Sequence, residues 1–264
     1  MASGNQTRRR FDHHTDSDLF RRSVSLGLVE GWSVQRIFSM NDEVNGAGTT
    51  EDVWPLGTVK VWPTAPAVAS IVSSSAADTA AGTGAQTVVV VGLDSSYQQV
   101  TEVVEMAGLS AATSTQEFLR INGIYCARVG SAGVNVGNIT CSVGGNAQKY
   151  IEADEGNCHC ASWTVPANHS FIIDTYSVGV GRMAGSSDCQ LEGQIRLYDT
   201  ESNANYQSWR SISDIYLYNG QDRINGSNIT TVPAKTDIRG QVTSTSSTQV
   251  FMIFGGLLVD NKYL

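Results

Sequence analysis

Residues 191–198 have the sequence LEGQIRLY, in which small or apolar residues alternate with larger polar ones. The small or apolar positions are Leu191, Gly193, Ile195 and Leu197. Successive side chains of a β-strand point to opposite faces of its sheet. The period of two therefore predicts a half-buried strand with these four residues turned towards a core.

Similar stretches recur along the chain from about residue 53, separated by Gly, Pro, Asn and Ser. They are residues 59–62, 86–91, 100–106, 138–143, 171–181, 212–218, 237–243 and 249–259. Short strands joined by such turn signals are typical of sandwiches and barrels. We expect an all-β protein with two sandwich or jelly-roll-like modules, at residues 53–148 and 149–264. A jelly roll and an immunoglobulin-like sandwich both fit the pattern.

Residues 1–52 differ from the rest and are predicted to form an extended N-terminal arm with little helix. Residues 1–22 contain five Arg and three Asp, a local charge of +2 on an acidic protein. Residues 33–40, SVQRIFSM, are predicted to form one or two helical turns. No piece of the arm can bury a core alone, so we expect it to pack on a partner. The predicted docking residues are Arg8, Arg9, Arg10, Phe20, Arg21, Arg22, Leu26 and Leu28.

The overall composition argues against two classes of partner. The 264 residues carry a formal charge of −8. Because nucleic-acid-binding domains need a basic surface, we expect no nucleic-acid partner and assign the arginines to an acidic protein surface. No apolar stretch reaches the ~20 residues that span a bilayer, so we expect no membrane insertion. No apolar core follows residues 8–10, which argues against a secretory signal.

The sequence contains no motif that demands catalysis. None of the four histidines lies in a local motif with a nucleophile, and no Gly-x-Ser-x-Gly, His-Glu-x-x-His or phosphate-binding loop occurs. Cys158-His159-Cys160 is a candidate metal cluster, but it lacks a second ligand pair at zinc spacing, and half-buried thiols are the simpler interpretation. Paired acids could serve a glycosidase, although sequence alone does not place two of them across a cleft. We expect a non-enzymatic protein without cofactor or metal.

Four aromatic residues of the second module could form a stacking platform for a glycan: Trp163, Trp209, Tyr216 and Tyr218. Aromatic residues in strands lie more often in a core or at a subunit interface. Both interpretations stay open at the level of sequence.

Two long stretches resemble a known family. They are AGTGAQTVVVVGLDSSYQQVTEVVEMAG at residues 81–108 and FLRINGIYCARVGSAGVNVGNITCSVGG at residues 118–145. The stretches at 151–173 and 231–242 continue the likeness, which covers about residues 55–260. The pattern is similar to that of β-rich structural virion proteins, decoration-like or fibre-like, of tailed bacteriophages that infect aquatic bacteria and cyanobacteria. Asn168 stands where the family has the Gly of a Val-Pro-Ala-Gly turn.

The resemblance implies a protein of the virion that assembles and does not catalyse. Together with the predicted arm, it leads us to expect a symmetric homo-oligomer, a homotrimer, that docks through residues 1–52 on other proteins of the capsid, neck or tail. The alternative is a receptor-binding or carbohydrate-binding tail fibre or tip protein that contacts a host surface glycan.

Overall fold

The computed structural model describes residues 17–181, 189–200, 208–218 and 230–264. Strands dominate these ranges, which confirms the all-β class. The helical elements there are α1 (Ser17–Ser25) and a terminal 3-10 turn (Asn261–Tyr263). The strands are β1 (Trp32–Val44), β2 (Thr50–Asp52), β3 (Ala67–Ser73), β4 (Ala85–Leu93), β5 (Gln99–Glu105), β6 (Ala112–Phe118), β7 (Arg120–Val129), β8 (Ile139–Val143), β9 (Asn146–Ile151), β10 (Ser162–Thr164), β11 (His169–Gly181), β12 (Gln190–Asp199), β13 (Arg210–Tyr218), β14 (Thr230–Val232), β15 (Thr236–Ser244) and β16 (Thr248–Asp260).

Strands β3 to β9 form a first sandwich of two antiparallel sheets. One sheet has the order β6-β3-β8-β9 and the other the order β5-β4-β7. Ile71, Val88, Phe118 and Ile139 are fully buried in the core of this sandwich. The run QTVVVV at residues 86–91 lies in β4, which is paired on both sides. A central strand of this kind favours a continuous β-branched run.

The remaining strands form a second sandwich. One of its sheets has the order β1-β16-β11-β14, and the other has the order β10-β15-β12-β13 with β2 beside β15. LEGQIRLY lies in β12, and Leu191, Ile195 and Leu197 are buried as the alternation predicts. They share a core with Trp163 and Phe171.

The first sandwich is an insertion in the second, because the chain leaves after β2 and returns at β10. Residues 32–52, which the sequence pattern placed in the arm, supply β1 and β2 of the second sandwich. The predicted helical turns at residues 33–40 are wrong, since this stretch lies in β1 and pairs with β16. Its buried positions include Ile37, Ser39 and Asn41, and the two polar residues among them hide the period of two.

The strand predicted at residues 59–62 is also absent from the described structure. Val59 and Val61 are 47% and 58% exposed, whereas Lys60 between them is buried. This inverted pattern arises because residues 53–66 cross from the second sandwich to the first. Lys60 there bonds with its backbone N–H to Asp52 at 2.8 Å instead of joining a sheet.

Asn168 has a backbone conformation that glycine adopts readily. Its φ is 60°, in the left-handed region that favours Gly and that Asn tolerates better than most residues. The related turn Val232-Pro233-Ala234-Lys235 has a φ of 59° at Lys235. The two Val-Pro-Ala turns of the second sandwich therefore have a left-handed residue at the same position.

A buried ion pair joins the two sandwiches. The guanidinium of Arg120 on β7 donates to both carboxylate oxygens of Asp237 on β15, at 2.9 Å each. Their side chains are 7% and 1% exposed. Thr164 Oγ1 donates to the same carboxylate at 2.7 Å. The side-chain amide of Asn122 exchanges two hydrogen bonds with the backbone of Thr164 across this boundary. We call these four residues the interdomain junction.

Asp237→Ala is expected to lower the free energy of unfolding by about 3–5 kcal/mol, because it leaves the Arg120 guanidinium buried without its counter-charge. The matched control is Asp260→Ala, which breaks a surface pair with Lys262 and is expected to cost much less than Asp237→Ala. Urea denaturation followed by tryptophan fluorescence measures both losses. Equal losses in the two variants would contradict the role of the junction.

Candidate functional site

One face of α1 packs against the second sandwich. Val24 is buried, and the ring of Phe20 packs edge-on against Trp32 with the ring centroids 5.2 Å apart. The guanidinium of Arg21 forms an ion pair with Asp174 on β11. These contacts hold the segment on its own chain.

The end of α1 is a tight turn that sets the direction of the following backbone. Gly27 has a φ of 70°. Its N–H donates to the carbonyl of Val24, and the N–H of Leu28 donates to the carbonyl of Ser23, both at 2.9 Å. This bond pattern is that of a Schellman cap, which satisfies the last carbonyls of a helix. Leu26 and Leu28 therefore follow α1 on a defined backbone.

The other face of this segment is open to solvent. Leu19, Leu26 and Leu28 are 55%, 66% and 72% exposed. Arg22, in the last turn of α1, is exposed as well. We call these four residues the docking surface. Exposed apolar side chains gathered on one short segment make it a candidate site of contact with another protein.

The structure divides the predicted docking residues into three groups. Arg22, Leu26 and Leu28 belong to the docking surface. Phe20 and Arg21 make the intrachain contacts described above, so they position the segment. The arginines at positions 8, 9 and 10 lie outside the described residues.

Strand β1 follows this segment and lies at the edge of its sheet. It is 13 residues long, and within the described chain it pairs with β16 alone. Val34 and Phe38 are 38% and 37% exposed along it. An edge of this length presents a row of backbone N–H and C=O groups that can pair with a further strand.

The four residues of the predicted glycan platform do not form one surface. Trp163 is buried in the core of the second sandwich, where its ring lies 5.1 Å from that of Phe171. Trp209 lies between the two sandwiches. Tyr216 and Tyr218 occupy alternate exposed positions of β13. Of the four, the structure brings only these two tyrosines together.

Trp209 lines a groove of about 410 Å³ beside the interdomain junction. The centroid of its ring lies 5.8 Å from that of Trp62 and 5.4 Å from that of Tyr198. The guanidinium of Arg239 stacks on Trp209 at 3.8 Å, and the ammonium of Lys60 lies 4.3 Å from the centroid of Trp62. These cations already cover ring faces on which a sugar would stack. The stacked rings and cations therefore mainly hold the two sandwiches together.

Two buried lysines converge on Ser162, where the chain re-enters the second sandwich. Lys149 Nζ donates to the carbonyl and hydroxyl oxygens of Ser162, at 2.5 and 3.1 Å. Lys60 Nζ donates to the same hydroxyl at 3.0 Å. Burial lowers the pKa of Lys60 to about 7, and the charge of Lys149 acts in the same direction. Sequence reasoning missed this cluster, because its members come from separate parts of the chain.

The thiols of the Cys158-His159-Cys160 segment interact with each other. A hydrogen bond from Cys160 lowers the pKa of Cys158 to about 5, and burial raises the pKa of Cys160. The backbone N–H of Ile124 donates to the sulfur of Cys158 at 3.4 Å. In the part of the chain that the structure describes, no three His, Cys, Asp or Glu side chains are arranged to hold a metal ion. The described helices include none that is long and apolar enough to cross a membrane.

Comparisons with known proteins do not identify a family. No family model and no curated protein matches the chain. Among solved structures, the VP2 subviral particle of infectious bursal disease virus matches at 9% identity and a TM-score of 0.17, covering 91% of this chain and 81% of that one. The structure of the Gt strain of infectious bursal disease virus matches at 10% identity and a TM-score of 0.18, covering 90% and 81%. Scores this low carry no conclusion about fold or function.

The free energy of unfolding is expected to rise as the pH increases from 6 to 9. The pKa of Lys60 is about 7 in the folded chain and 10.5 in the unfolded one, so the unfolded chain binds more protons across this interval. Cys158 acts in the same direction, since its pKa is also lowered, whereas the raised pKa values of Cys126, Cys141 and Cys160 oppose the rise as the pH approaches 9.

Lys60→Met should therefore weaken this rise, whereas Lys262→Met, at an exposed lysine, should leave it unchanged. Urea denaturation at pH 6, 7, 8 and 9 tests both variants. A slope in Lys60→Met equal to that of the unmodified chain would contradict the lowered pKa of Lys60.

Proposed function

We propose that this chain is a non-enzymatic structural protein of a bacteriophage virion. It docks through the docking surface on another protein of the capsid, neck or tail. It acts as a symmetric homo-oligomer, with a homotrimer as the expected form.

The observation that carries this proposal is the two-sided character of residues 17–28. One side contacts the second sandwich through Val24, Phe20 and Arg21. The other side presents three leucines that are more than half exposed. A segment held rigidly by its own domain loses little conformational entropy when a partner covers its open side. This arrangement supports docking of a preformed surface.

The energy of such a contact comes mainly from apolar burial. Each leucine that passes from exposed to buried contributes about 1.5–3 kcal/mol. Arg22 adds a charge that can pair with an acidic group of the partner. In a symmetric oligomer, several copies of a weak contact engage together, so that the whole binds far more tightly than one copy.

The self-association has a separate support in the edge strand β1. Its 13 residues pair on one side with β16, and no other described strand pairs with it. Closed assembly around a symmetry axis is one way in which β proteins cover such edges. Docking and self-association thus rest on different residues, and can be tested apart.

Replacement of Leu26 and Leu28 together by Ser is expected to reduce incorporation into virions about tenfold or more, because it removes apolar burial at the contact. The matched control is Leu109→Ser, which changes a leucine of the first sandwich that is 64% exposed. Each variant is supplied as a tagged copy during infection by the virus that encodes the chain. Mass spectrometry of gradient-purified particles then measures its copy number.

Circular dichroism and thermal denaturation establish that both variants fold like the unmodified chain. Incorporation of the double variant at the level of the Leu109 control would overturn docking through this surface. Absence of the unmodified chain from purified particles would overturn the virion assignment itself.

A further inference from the structure

The outer face of β12 and β13 carries two parallel rows of side chains. In the first row, Tyr216 on β13 lies opposite Glu192 on β12, which lies opposite Thr243 on β15, which in turn lies opposite Thr50 on β2. The hydroxyls of the two threonines are 3.0 Å apart. The row thus runs from an aromatic ring through a carboxylate to a pair of hydroxyls.

The second row lies two residues further along β13 and has an amide in place of the carboxylate. Tyr218 lies opposite Gln190, and the backbone N–H of Thr245 donates to the carbonyl of Gln190 at 3.1 Å, while the Gln190 N–H donates to the Thr245 hydroxyl at 2.9 Å. Tyr216 and Tyr218 are two residues apart on one strand, so their Cα atoms lie about 7 Å apart and their side chains leave the same face of the sheet. The two rows together present two adjacent rings above a strip of hydroxyl, amide and carboxylate groups.

The rings of these tyrosines are available to a ligand. They are 73% and 64% exposed, the two largest exposures among the exposed aromatic residues of the described chain. They border a depression of about 400 Å³, within the size range of small-molecule sites. The phenol of Tyr216 donates a 3.2 Å hydrogen bond to the carboxylate of Glu192, which restrains the ring. Among the described residues, no cation lies on either ring, in contrast to the groove at the interdomain junction.

The charge of this depression narrows the class of ligand. Its described lining residues include no Lys or Arg, and their one charged group is Glu192. Within this described lining, an anionic ligand would find no counter-charge and would be repelled by the carboxylate of Glu192. The remaining polar groups are hydroxyls, an amide and backbone groups, which pair with a ligand rich in neutral hydroxyls.

We propose that this face of the second sandwich binds a neutral oligosaccharide. Two consecutive sugar rings stack on Tyr216 and Tyr218, while their hydroxyls bond to Glu192, Gln190 and Thr243. This site goes beyond the docking function and does not depend on it, because it shares no residue with the docking surface. Failure of either proposal leaves the other standing.

The test is saturation-transfer difference NMR on the full chain with maltotetraose, cellotetraose and mannotetraose as probes. Tetragalacturonic acid serves as the anionic probe and choline as the cationic one. The variants are Tyr216→Ala and Tyr218→Ala, with Tyr125→Ala as the matched control. Tyr125 is 43% exposed on β7 of the first sandwich, away from this face.

We expect at least one neutral tetrasaccharide to bind, and to lose affinity about tenfold or more in both Tyr216→Ala and Tyr218→Ala, each tenfold being about 1.4 kcal/mol. The Tyr125 control should bind like the unmodified chain. Glu192→Gln, which keeps the size of the side chain, should weaken binding without altering the fold.

Several outcomes would overturn the proposal. They are the absence of binding by all three neutral probes at millimolar concentration, binding that survives in both tyrosine variants, and binding confined to the anionic or the cationic probe. Self-association lost in Tyr216→Ala would likewise overturn it, and would assign the face to a contact between copies of the chain.

Discussion

The carboxylate of Asp237 is the point on which the arrangement of the two sandwiches depends. It is buried, and it accepts two bonds from Arg120 of the inserted sandwich and one from Thr164 of its own. A buried carboxylate needs such partners, because desolvation disfavours its charged form. The bidentate geometry of the guanidinium also restricts orientation, since both N–H···O bonds must form at once. The junction therefore holds the inserted sandwich in a defined position.

The two chain crossings at this boundary also need polar contacts. An insertion leaves and re-enters its host domain at two chain crossings, and the backbone groups at those crossings need partners. Lys60 lies on the outgoing crossing, and both it and Lys149 bond to Ser162 at the return. Polar contacts of this kind add less to stability than apolar packing would, and they specify one arrangement where an apolar boundary could slide. A fixed arrangement suits a protein that presents surfaces to partners.

Periodicity predicted the strands that bury one face and failed where polar residues turn inward. Residues 191–198 follow the rule, and their alternate residues form part of the second core. Residues 33–40 break it, because Ser39 is buried and bonds to the carbonyl of Met252 at 2.9 Å. The polar side chain is satisfied inside the sheet, so a pattern based on hydropathy does not register it. Lys60 is the second case, a buried cation between two exposed valines.

The candidate surfaces were predictable to a smaller extent. The apolar residues at 26 and 28 stand out in a polar segment, and both are exposed. The aromatic platform was predictable only in part, since Tyr216 and Tyr218 alternate on one strand while Trp163 belongs to the core. The partners of Asp237 and Ser162 come from strands that are remote in sequence, and local patterns contain no information about such pairings. The arm ends near residue 31 because β1 begins at residue 32. This strand forms by pairing with β16, the penultimate element of the described chain.

The central claim is that the chain is built to assemble. Native mass spectrometry of the purified full chain at micromolar concentration tests it most directly. We expect a single species with the mass of a homotrimer. A homogeneous monomer across the micromolar range would contradict it.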